Sequence, residues 1–325
     1  KAAAQIEGSK DFAKQLMARH GIPTAQYRTF DDLETSVAYV REHGAPIVIK
    51  ADGLAAGKGV TVAMDEDTAV EALKDIFVDH RFGSAGAKVV IEDFLEGQEF
   101  SLMSFVSGTD FWPMPISQDH KRAYDDDKGP NTGGMGAYSP VPQIGQDVVD
   151  AAIDTIVRPT VEAMAAEGTP FAGILYAGLI ATADGPKVIE FNARFGDPET
   201  EVVLPKLTSD LGAGIGAILK GETPEFTWDD ANATLGVVLA SDGYPVNVVK
   251  GAAIPEIPVD EDTHVYYAGV ANGEHGLVAS SGRVLLVETT APDIKAAQDK
   301  VYAILDGLDT TGMFYRHDIG SKALK

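Results

Sequence analysis

Residues 188–200 carry polar side chains at alternate positions of an otherwise apolar run. Successive side chains in a β-strand point to opposite faces. The run therefore predicts a strand with one apolar face, formed by Ile189, Phe191, Ala193 and Phe195, and one polar row, formed by Glu190, Asn192 and Arg194. Neighbours in that row are spaced about 6–7 Å apart. Carboxylate and amide oxygens suit Mg²⁺, and a guanidinium suits an anion, so the row indicates a site for a metal-bound anion.

Composition limits the classes of protein to consider. A chain of 325 residues, 45% hydrophobic, exceeds what one core usually organises, so we expect two or three compact units. The longest apolar run, residues 171–183, is shorter than the ~20 residues of a membrane span, so no membrane partner is expected. A net charge of −23 argues against nucleic acid as a partner. The absence of cysteine excludes thiolate chemistry and fits a cytoplasmic location.

Periodicity predicts alternating helices and strands. Strands are expected at residues 27–30, 46–50, 60–64, 88–91, 100–106, 111–116, 174–182, 187–192, 234–239, 265–269 and 284–288. Helices are expected near residues 9–21, 32–44, 68–77, 146–167, 211–219 and 294–305. The glycine-rich segment 118–142 is interpreted as a substrate loop. The hairpin formed by residues 174–192 is expected to place the polar row in the middle of a sheet.

Residues 50–60 join two predicted strands through a loop with three glycines, Gly53, Gly57 and Gly59, and two lysines, Lys50 and Lys58. Glycines let backbone N–H groups approach an anion, and lysines neutralise it. The loop is not a Walker A motif, because only three residues separate its first two glycines and glycine follows Lys58. Nucleotide binding and a plain hairpin tip with solvent-facing lysines both remain open.

Residues 91–99 leave a strand and enter a turn. Backbone groups near Glu92, Asp93, Phe94 and Leu95 could pair with a purine edge, and Glu99 could then reach a ribose hydroxyl. The alternative is that Glu99 is simply solvated, as most glutamates are.

Taken together, the glycine-rich tip, the acidic-aromatic hinge and the Glu-x-Asn-x-Arg strand resemble the ATP-grasp superfamily. Within it, the chain is similar to the phosphoribosylamine–glycine ligase family of purine biosynthesis. The matching segments are residues 6–10 (IEGSK), 50–60, 117–122 (SQDHKR), 129–140 (GPNTGGMGAYSP), 191–199 (FNARFGDPE) and 314–320 (FYRHDIG). The similarity extends over essentially all 325 residues.

The resemblance implies an α/β (α+β) chain with the ATP-grasp fold. A central subdomain would comprise residues 1–20 and 93–226, a small lid subdomain residues 21–92, and a C-terminal mixed α/β domain residues 227–325. It also implies an ATP-dependent ligase that joins glycine to 5-phosphoribosylamine through glycyl phosphate. The cofactors would be ATP and Mg²⁺ or Mn²⁺.

The resemblance also implies roles for individual residues. Lys50 and Arg194 would be catalytic, and Glu190 and Asn192 would hold the metal. ATP would be bound by Lys10, Lys50, Gly53, Gly57, Lys58, Gly59, Glu92, Asp93, Phe94, Leu95 and Glu99. Residues 176–179 offer no acidic side chain where many relatives carry another metal ligand, so Glu190 is expected to bridge any second ion.

Glycine and the phosphoribosyl group would be bound by Asp119, His120, Lys121, Arg122, Asn131, Thr132, Gly133, Gly134, Met135, Arg194 and Asp197. The cationic residues would balance the sugar phosphate, and the amides of the Gly-Gly turn would bind a carboxylate. Two alternatives stay open: His120 is a packed histidine, or Arg194 forms an ordinary salt bridge with Asp197 or Glu199.

Relatives carry an N-terminal domain before the position of Lys1, so the sequence is expected to be a fragment whose partner is that domain. On this expectation the chain binds MgATP and turns over poorly by itself. Two other functions remain: another ATP-grasp carboxylate–amine ligase, and a nucleotide-binding module without turnover.

Overall fold

The structure is a computed structural model that describes residues 1–54 and 59–325. Its strands are β1 (Tyr27–Phe30), β2 (Ile47–Ala51), β3 (Val60–Ala63), β4 (Val89–Asp93), β5 (Gln98–Gly108), β6 (Asp110–Pro113), β7 (Gln118–Asp119), β8 (Arg122–Tyr124), β9 (Lys128–Asn131), β10 (Gly136–Ser139), β11 (Phe171–Thr182), β12 (Gly185–Asn192), β13 (Ala233–Ser241), β14 (Thr263–Tyr267), β15 (Val270–Gly273), β16 (Gly276–Ala279), β17 (Arg283–Ala291) and β18 (Met313–Phe314).

The helices follow the predicted periodicity closely. They are α1 (Gln5–Gly8), α2 (Lys10–His20), α3 (Leu33–His43), α4 (Glu66–Phe77), α5 (Gln146–Ala152), α6 (Arg158–Ala166), α7 (Thr200–Val203), α8 (Leu211–Lys220) and α9 (Ile294–Leu305). A π-helical turn, Ile153–Val157, joins α5 to α6, so the single helix expected at residues 146–167 is nearly continuous. Within the described ranges, no helix combines the length and apolarity needed to cross a membrane.

The chain divides into two compact units. Unit 1 comprises Lys1–Pro113 and Ile144–Arg194, and unit 2 comprises Met114–Gln143 and Phe195–Lys325. The mixed helix and sheet content agrees with the expected α/β class.

Unit 1 contains two antiparallel sheets. The first has strand order β1-β4-β2-β3 and packs against α3 and α4, with apolar side chains of both layers forming one core. Leu73 of α4 lies at its centre, fully buried with Ile49 and Ile91 of the sheet. The second sheet has the order β12-β11-β5-β6 and contacts α2 and α6. Strand β5 is buried from Phe100 to Val106, which explains its interior position.

The alternating run 188–200 differs from the prediction in two respects. The strand ends at Asn192 and Arg194 lies in a bend, because the amide of Ala193 donates to the Glu7 carboxylate (3.0 Å) instead of extending the ladder. The strand also lies at the margin of its sheet, whereas the middle was expected. Its outer edge meets residues 23–24, since the Val188 amide donates to the carbonyl of Pro23 (2.9 Å).

Unit 2 is built on an antiparallel sheet of order β14-β17-β13-β10-β7, with β18 also paired to β13 and α9 packed on β13 and β17. Segment 118–142, expected as a loop, contains the four short strands β7 to β10. The reason is apolar content: Met135, Ala137 and Tyr138 are completely buried, and β10 pairs with both β13 and β7. The sheet therefore fixes most of the candidate substrate segment.

The first core of unit 1 predicts a specific stability effect. Truncating Leu73 to Ala removes buried methyl groups and leaves a cavity, so we expect the free energy of unfolding to fall by about 2–5 kcal/mol. The matched control is Met64→Ala, because Met64 is 64% exposed and its truncation should change stability by no more than about 0.5 kcal/mol. Urea unfolding of both variants decides the matter, and equal midpoints would contradict this description of the core.

Candidate functional site

Three buried charged side chains meet inside unit 1. Lys50 of β2 and Lys14 of α2 each place their Nζ 2.9 Å from an oxygen of Glu92 on β4. The three side chains are 2–4% exposed, so water hardly screens their interactions. We call this cluster the Lys14/Glu92/Lys50 triad.

The protonation of the triad follows from burial and mutual attraction. Burial lowers the pKa of Lys14 to about 8, although Glu92 opposes the shift. Burial by itself would raise the pKa of Glu92, but the ammonium groups of Lys50 and Lys14 reverse this and lower it. Glu92 is therefore ionised at neutral pH, and with both lysines protonated the triad holds one positive charge in excess.

Lys50 also connects the first sheet of unit 1 to the polar row on β12. Its Nζ donates to the carbonyl of Ile189 at 2.9 Å, immediately before Glu190. Glu190 and Asn192 are both half-buried and stand opposite Gly178 and Tyr176 of β11. Lys50 and Ile189 are 139 residues apart in sequence, so the fold brings the lysine next to the strand of the candidate metal ligands.

Lys10, the first residue of α2, lies near Lys50 and Glu190. The carboxylate of Asp52 accepts from the Ser9 hydroxyl (3.0 Å) and the Asp11 amide (2.7 Å), while the Lys10 amide donates to the Asp52 carbonyl (3.1 Å). The Nζ of Lys10 lies 3.4 Å from the carbonyl of Gly53. Burial lowers the pKa of Lys10, opposed by the nearby charge of Glu190. Lys10, Lys50 and Glu190 therefore interact electrostatically.

The glycine loop is only partly within the described residues, since Gly57 and Lys58 lie outside them. Gly53 packs closely: its amide donates to the carbonyl of Ala85 (3.0 Å), and an added Cβ would be 2.8 Å from that residue's Cα. At the other end, the carbonyl of Gly59 accepts from the amide of Ala51 (2.8 Å). Phosphate binding by this loop therefore stays a prediction, and a plain hairpin tip remains the alternative.

The expected purine hinge differs in detail from the sequence interpretation. Glu92 is the buried anion of the triad, and Asp93 still belongs to β4, where its carboxylate lies 3.0 Å from His43. Phe94 and Leu95 form a half-buried irregular link between β4 and β5. Glu99 is exposed on β5, opposite Ile180. Of the four residues predicted to form the hinge, 92–95, only Phe94 and Leu95 therefore lie outside strand β4.

Arg194 is held from α1. Its Nε lies 3.3 Å from one oxygen of Glu7, and the other oxygen of Glu7 accepts from the amide of Ala193. The guanidinium is 57% exposed, so it stays accessible to an anion. The alternative of a salt bridge from Arg194 to Asp197 or Glu199 stays open, and Asp197 itself pairs with Arg283.

Glu190 and Asn192 provide the chemistry of a magnesium site. In the described part of the chain, no group of three or more His, Cys, Asp or Glu side chains is placed to hold a metal. Mg²⁺ usually takes one or two protein ligands and completes its shell with phosphate oxygens and waters. One carboxylate and one amide oxygen are therefore an adequate donor set beside two lysines.

The remaining predicted site residues lie in unit 2. His120 is 1% exposed, lies 5.9 Å from the Tyr138 ring between centroids, and neither ring nitrogen has a partner among the described residues. Burial and the charges of Arg316 and Lys322 lower the pKa of His120 to about 3. His120 is thus packed, as the alternative reading held, and it is also a neutral group with unused hydrogen-bonding capacity.

The Gly-Gly turn is internally bonded. The amide of Gly133 donates to the Tyr244 hydroxyl (2.9 Å), and the amide of Gly134 donates to the Thr132 hydroxyl (3.0 Å). Thr132 in turn donates to the carbonyl of Lys121 (2.9 Å). Both amides are thus bonded within unit 2 in this structure, and their role in binding a carboxylate stays a prediction.

Acidic and basic side chains surround the turn. Burial and the charge of Glu199 raise the pKa of Asp119 well above its usual range, opposed by Lys121 and Arg283. The Nζ of Lys121 lies 3.9 Å from Asp119, and Arg122 donates to the carbonyl of Gly129 (2.8 Å). Asn131 stands opposite Arg122 in the β8-β9 ribbon, and Met135 is fully buried.

Two arginines that the sequence interpretation did not single out organise unit 2. Arg283 binds both oxygens of Asp197 (2.7 and 3.0 Å) and donates to the carbonyl of Gly133 (2.9 Å). Arg316, 1% exposed, binds both oxygens of Asp318 at 2.7 Å and donates to Asp127 and to the carbonyl of Arg122. Lys14 and Glu7 were missed in unit 1. Arg316 and Glu7 each had a signal, because they lie in the matching segments 314–320 and 6–10.

Comparisons with known proteins show the family of the chain. The family model for the ATP-grasp (A) domain of phosphoribosylglycinamide synthetase matches residues 8–200, and the model for its C domain matches residues 234–322. A phosphoribosylamine–glycine ligase of Streptococcus pyogenes is 57% identical over all of this chain and 77% of its own length. One from Lactococcus lactis is 58% identical with the same coverage.

Solved structures give the same result. A phosphoribosylamine–glycine ligase from Thermotoga maritima superposes with a TM-score of 0.88 at 35% identity, covering 98% of this chain and 80% of that one. A biotin carboxylase from Campylobacter jejuni has a TM-score of 0.77 at 14% identity, covering 99% of this chain and 71% of that one, which shows the shared fold alone. The chain therefore belongs to the phosphoribosylamine–glycine ligase family of ATP-grasp enzymes.

Proposed function

We propose that unit 1 binds the ATP phosphates and a divalent metal, and that unit 2 contributes the residues for glycine and 5-phosphoribosylamine. The reaction of the family joins these two substrates with conversion of ATP to ADP and phosphate, through glycyl phosphate. The observation that carries the proposal is the contact of the Lys50 ammonium with the backbone beside Glu190. It brings a phosphate-binding cation and a metal-binding carboxylate together.

On the nucleotide side, Lys10 and Lys50 would neutralise the phosphates, assisted by Gly53, Gly57, Lys58 and Gly59. The link after β4 would hold the adenine and Glu99 the ribose. Glu190 and Asn192 would hold Mg²⁺ or Mn²⁺, which when bound offsets the negative charge of the phosphates. We further propose the subdomain limits given by the resemblance: residues 1–20 with 93–226, residues 21–92, and residues 227–325.

The residues of the chain support a two-step transfer. Lysine charges beside the phosphates reduce the repulsion that an approaching carboxylate would meet, so the glycine carboxylate can attack the γ-phosphorus. Arg194 would stabilise the transferring phosphoryl group, because its exposed guanidinium is fixed by Glu7. The amine of 5-phosphoribosylamine then displaces phosphate from glycyl phosphate. The two steps give glycinamide ribonucleotide, ADP and phosphate, and neither requires a covalent bond to the enzyme.

For unit 2 we keep the substrate residues predicted from sequence and add Arg283. Neutral His120 has one ring nitrogen that donates and one that accepts, and both are unpaired among the described residues. A substrate hydroxyl or amine would satisfy them. Asp197 and Arg283 form a bidentate pair that fixes the edge of the Gly-Gly turn.

The proposed function predicts phosphate release that depends on both substrates. Phosphate released from ATP by the chain should rise when glycine and freshly generated 5-phosphoribosylamine are added together, with formation of glycinamide ribonucleotide. A coupled phosphate assay with product detection measures this. Unchanged background release, with ATP binding intact, would instead favour a nucleotide-binding module.

The metal role of Glu190 predicts the effect of its neutralisation. Glu190→Gln keeps the shape but removes a hard anionic ligand, so substrate-dependent phosphate release should fall by about a hundredfold or more. The matched control is Glu162→Gln, an exposed glutamate of α6 outside the proposed site, which should leave the rate unchanged. Equal rates and equal Mg²⁺ dependence in both variants would refute the assignment.

Burial of His120 predicts a pH effect on stability. Its pKa of about 3 lies below the value of about 6.5 in an unfolded chain, so between these pH values the unfolded state binds more protons. The contribution of His120 is fully present above pH ~6.5 and is lost as the pH falls toward 3. We expect His120→Asn to flatten the loss of stability between pH 6.5 and 4, measured by thermal unfolding. A parallel pH profile for the variant would show that His120 does not titrate abnormally.

A further inference from the structure

Lys14 has no role in the scheme above, yet it is among the least exposed charged side chains of unit 1. Its Nζ contacts Glu92 at 2.9 Å and donates to the Thr24 hydroxyl at 2.8 Å. Lysine is almost never fully buried unless it is paired. The pairing of Lys14 with Glu92 therefore accounts for its burial but not for why two lysines share one carboxylate.

Charge counting shows what the second lysine changes. If Glu92 faced Lys50 alone, the pair would be neutral and Lys50 would be compensated by a carboxylate 2.9 Å away. Lys14 binds the other oxygen of Glu92, so the carboxylate is divided between two cations. An ammonium can donate three hydrogen bonds, so Lys50 retains capacity beyond its contacts with Glu92 and Ile189.

We propose that Lys14 is a positioning residue of the phosphate site: by sharing Glu92, it keeps the Lys50 ammonium fixed in place and incompletely neutralised until an ATP phosphate binds. This inference rests on the proposed role of Lys50. It goes beyond that role because it assigns a function to Lys14, the second lysine that pairs with Glu92. The net positive charge of the buried triad attracts an anion.

The titration of Lys14 supports the proposal. Its pKa of about 8 reflects burial next to an already engaged carboxylate. A polyphosphate bound at Lys50 would add negative charge nearby and raise the pKa of Lys14. The groups around Lys14 are Glu92, Lys50 and Asp93, with Tyr27 facing its ammonium at 5.7 Å from the ring centroid. Above pH 8 ATP binding should therefore take up protons, and ATP affinity should fall as the pH rises through 8.

The test is calorimetric titration of the chain with ATP and Mg²⁺ at pH 7.0 and 8.5, in two buffers of different ionisation enthalpy. For Lys14→Met we expect an ATP Kd at pH 7.0 raised about tenfold, because Glu92 then neutralises Lys50 completely. The proton uptake seen at pH 8.5 should disappear. Lys74→Met, at an exposed position of α4, is the matched control and should behave as the unchanged chain.

A double variant separates charge from folding. Lys14→Met with Glu92→Gln restores one net positive charge at Lys50, so its ATP affinity should recover relative to Lys14→Met, which simple loss of packing would not produce. If Lys14→Met alone does not fold, the double variant is compared directly with the unchanged chain, whose ATP affinity it should match. Equal ATP affinity and equal proton uptake in Lys14→Met and the unchanged chain would overturn the inference, as would an affinity in the double variant no better than in Lys14→Met.

Failure of the proposed function is recognised separately. If the unchanged chain binds ATP with proton uptake but releases no phosphate with glycine and 5-phosphoribosylamine, the ligase assignment fails and the role of Lys14 stands. If ligation occurs while the Lys14 variants bind ATP normally, the role of Lys14 fails alone.

Discussion

The ion pairs of Glu92 with Lys14 and Lys50 are the contact on which the nucleotide side of this protein depends. They tie helix α2 to strands β2 and β4, and Lys50 carries the connection on to β12. Breaking one partner of a buried pair costs about 3–5 kcal/mol, whereas an intact pair adds little net stability. Such a cluster is therefore better explained by what it positions than by what it stabilises. Here it positions a cation beside Glu190, the carboxylate that we propose binds the metal.

Unit 2 contains a similar buried cluster with the charges reversed, in which one arginine lies between two carboxylates. Buried Arg316 gathers Asp318, Asp127 and the carbonyl of Arg122, and Arg283 clamps Asp197 against the Gly-Gly turn. Arginine suits this task because its planar guanidinium binds carboxylates through two parallel hydrogen bonds. The long candidate substrate segment is thus held by salt bridges and by short strands. This explains why a segment that reads as a loop in sequence has a defined shape.

Periodicity predicted the longer helices and strands, because amphipathic spacing and burial follow directly from residue order. It missed short elements, namely strands β7 to β10, β15, β16 and β18 and helices α1 and α7. It could not predict where the strand of Glu190 ends, since that depends on a hydrogen bond from Ala193 to Glu7, 186 residues away. The pattern also suggested a central strand, but β12 lies at the sheet margin because its outer edge meets residues 23–24. Lys14 reads as one more lysine of an amphipathic helix, and only the fold brings it to Glu92. Short motifs identify the candidate functional residues, whereas the residues that position them are identified only by contacts between distant parts of the sequence.

The proposed phosphate and metal site of unit 1 consists of Lys10, Lys50, Glu190 and Asn192. A crystal structure of the chain with Mg²⁺ and a non-hydrolysable ATP analogue tests it most directly. We expect the phosphate chain to contact the ammonium groups of Lys10 and Lys50, and the metal to be bound by Glu190 and Asn192. A nucleotide whose phosphates lie away from Lys50, or a metal held by other residues, would contradict it.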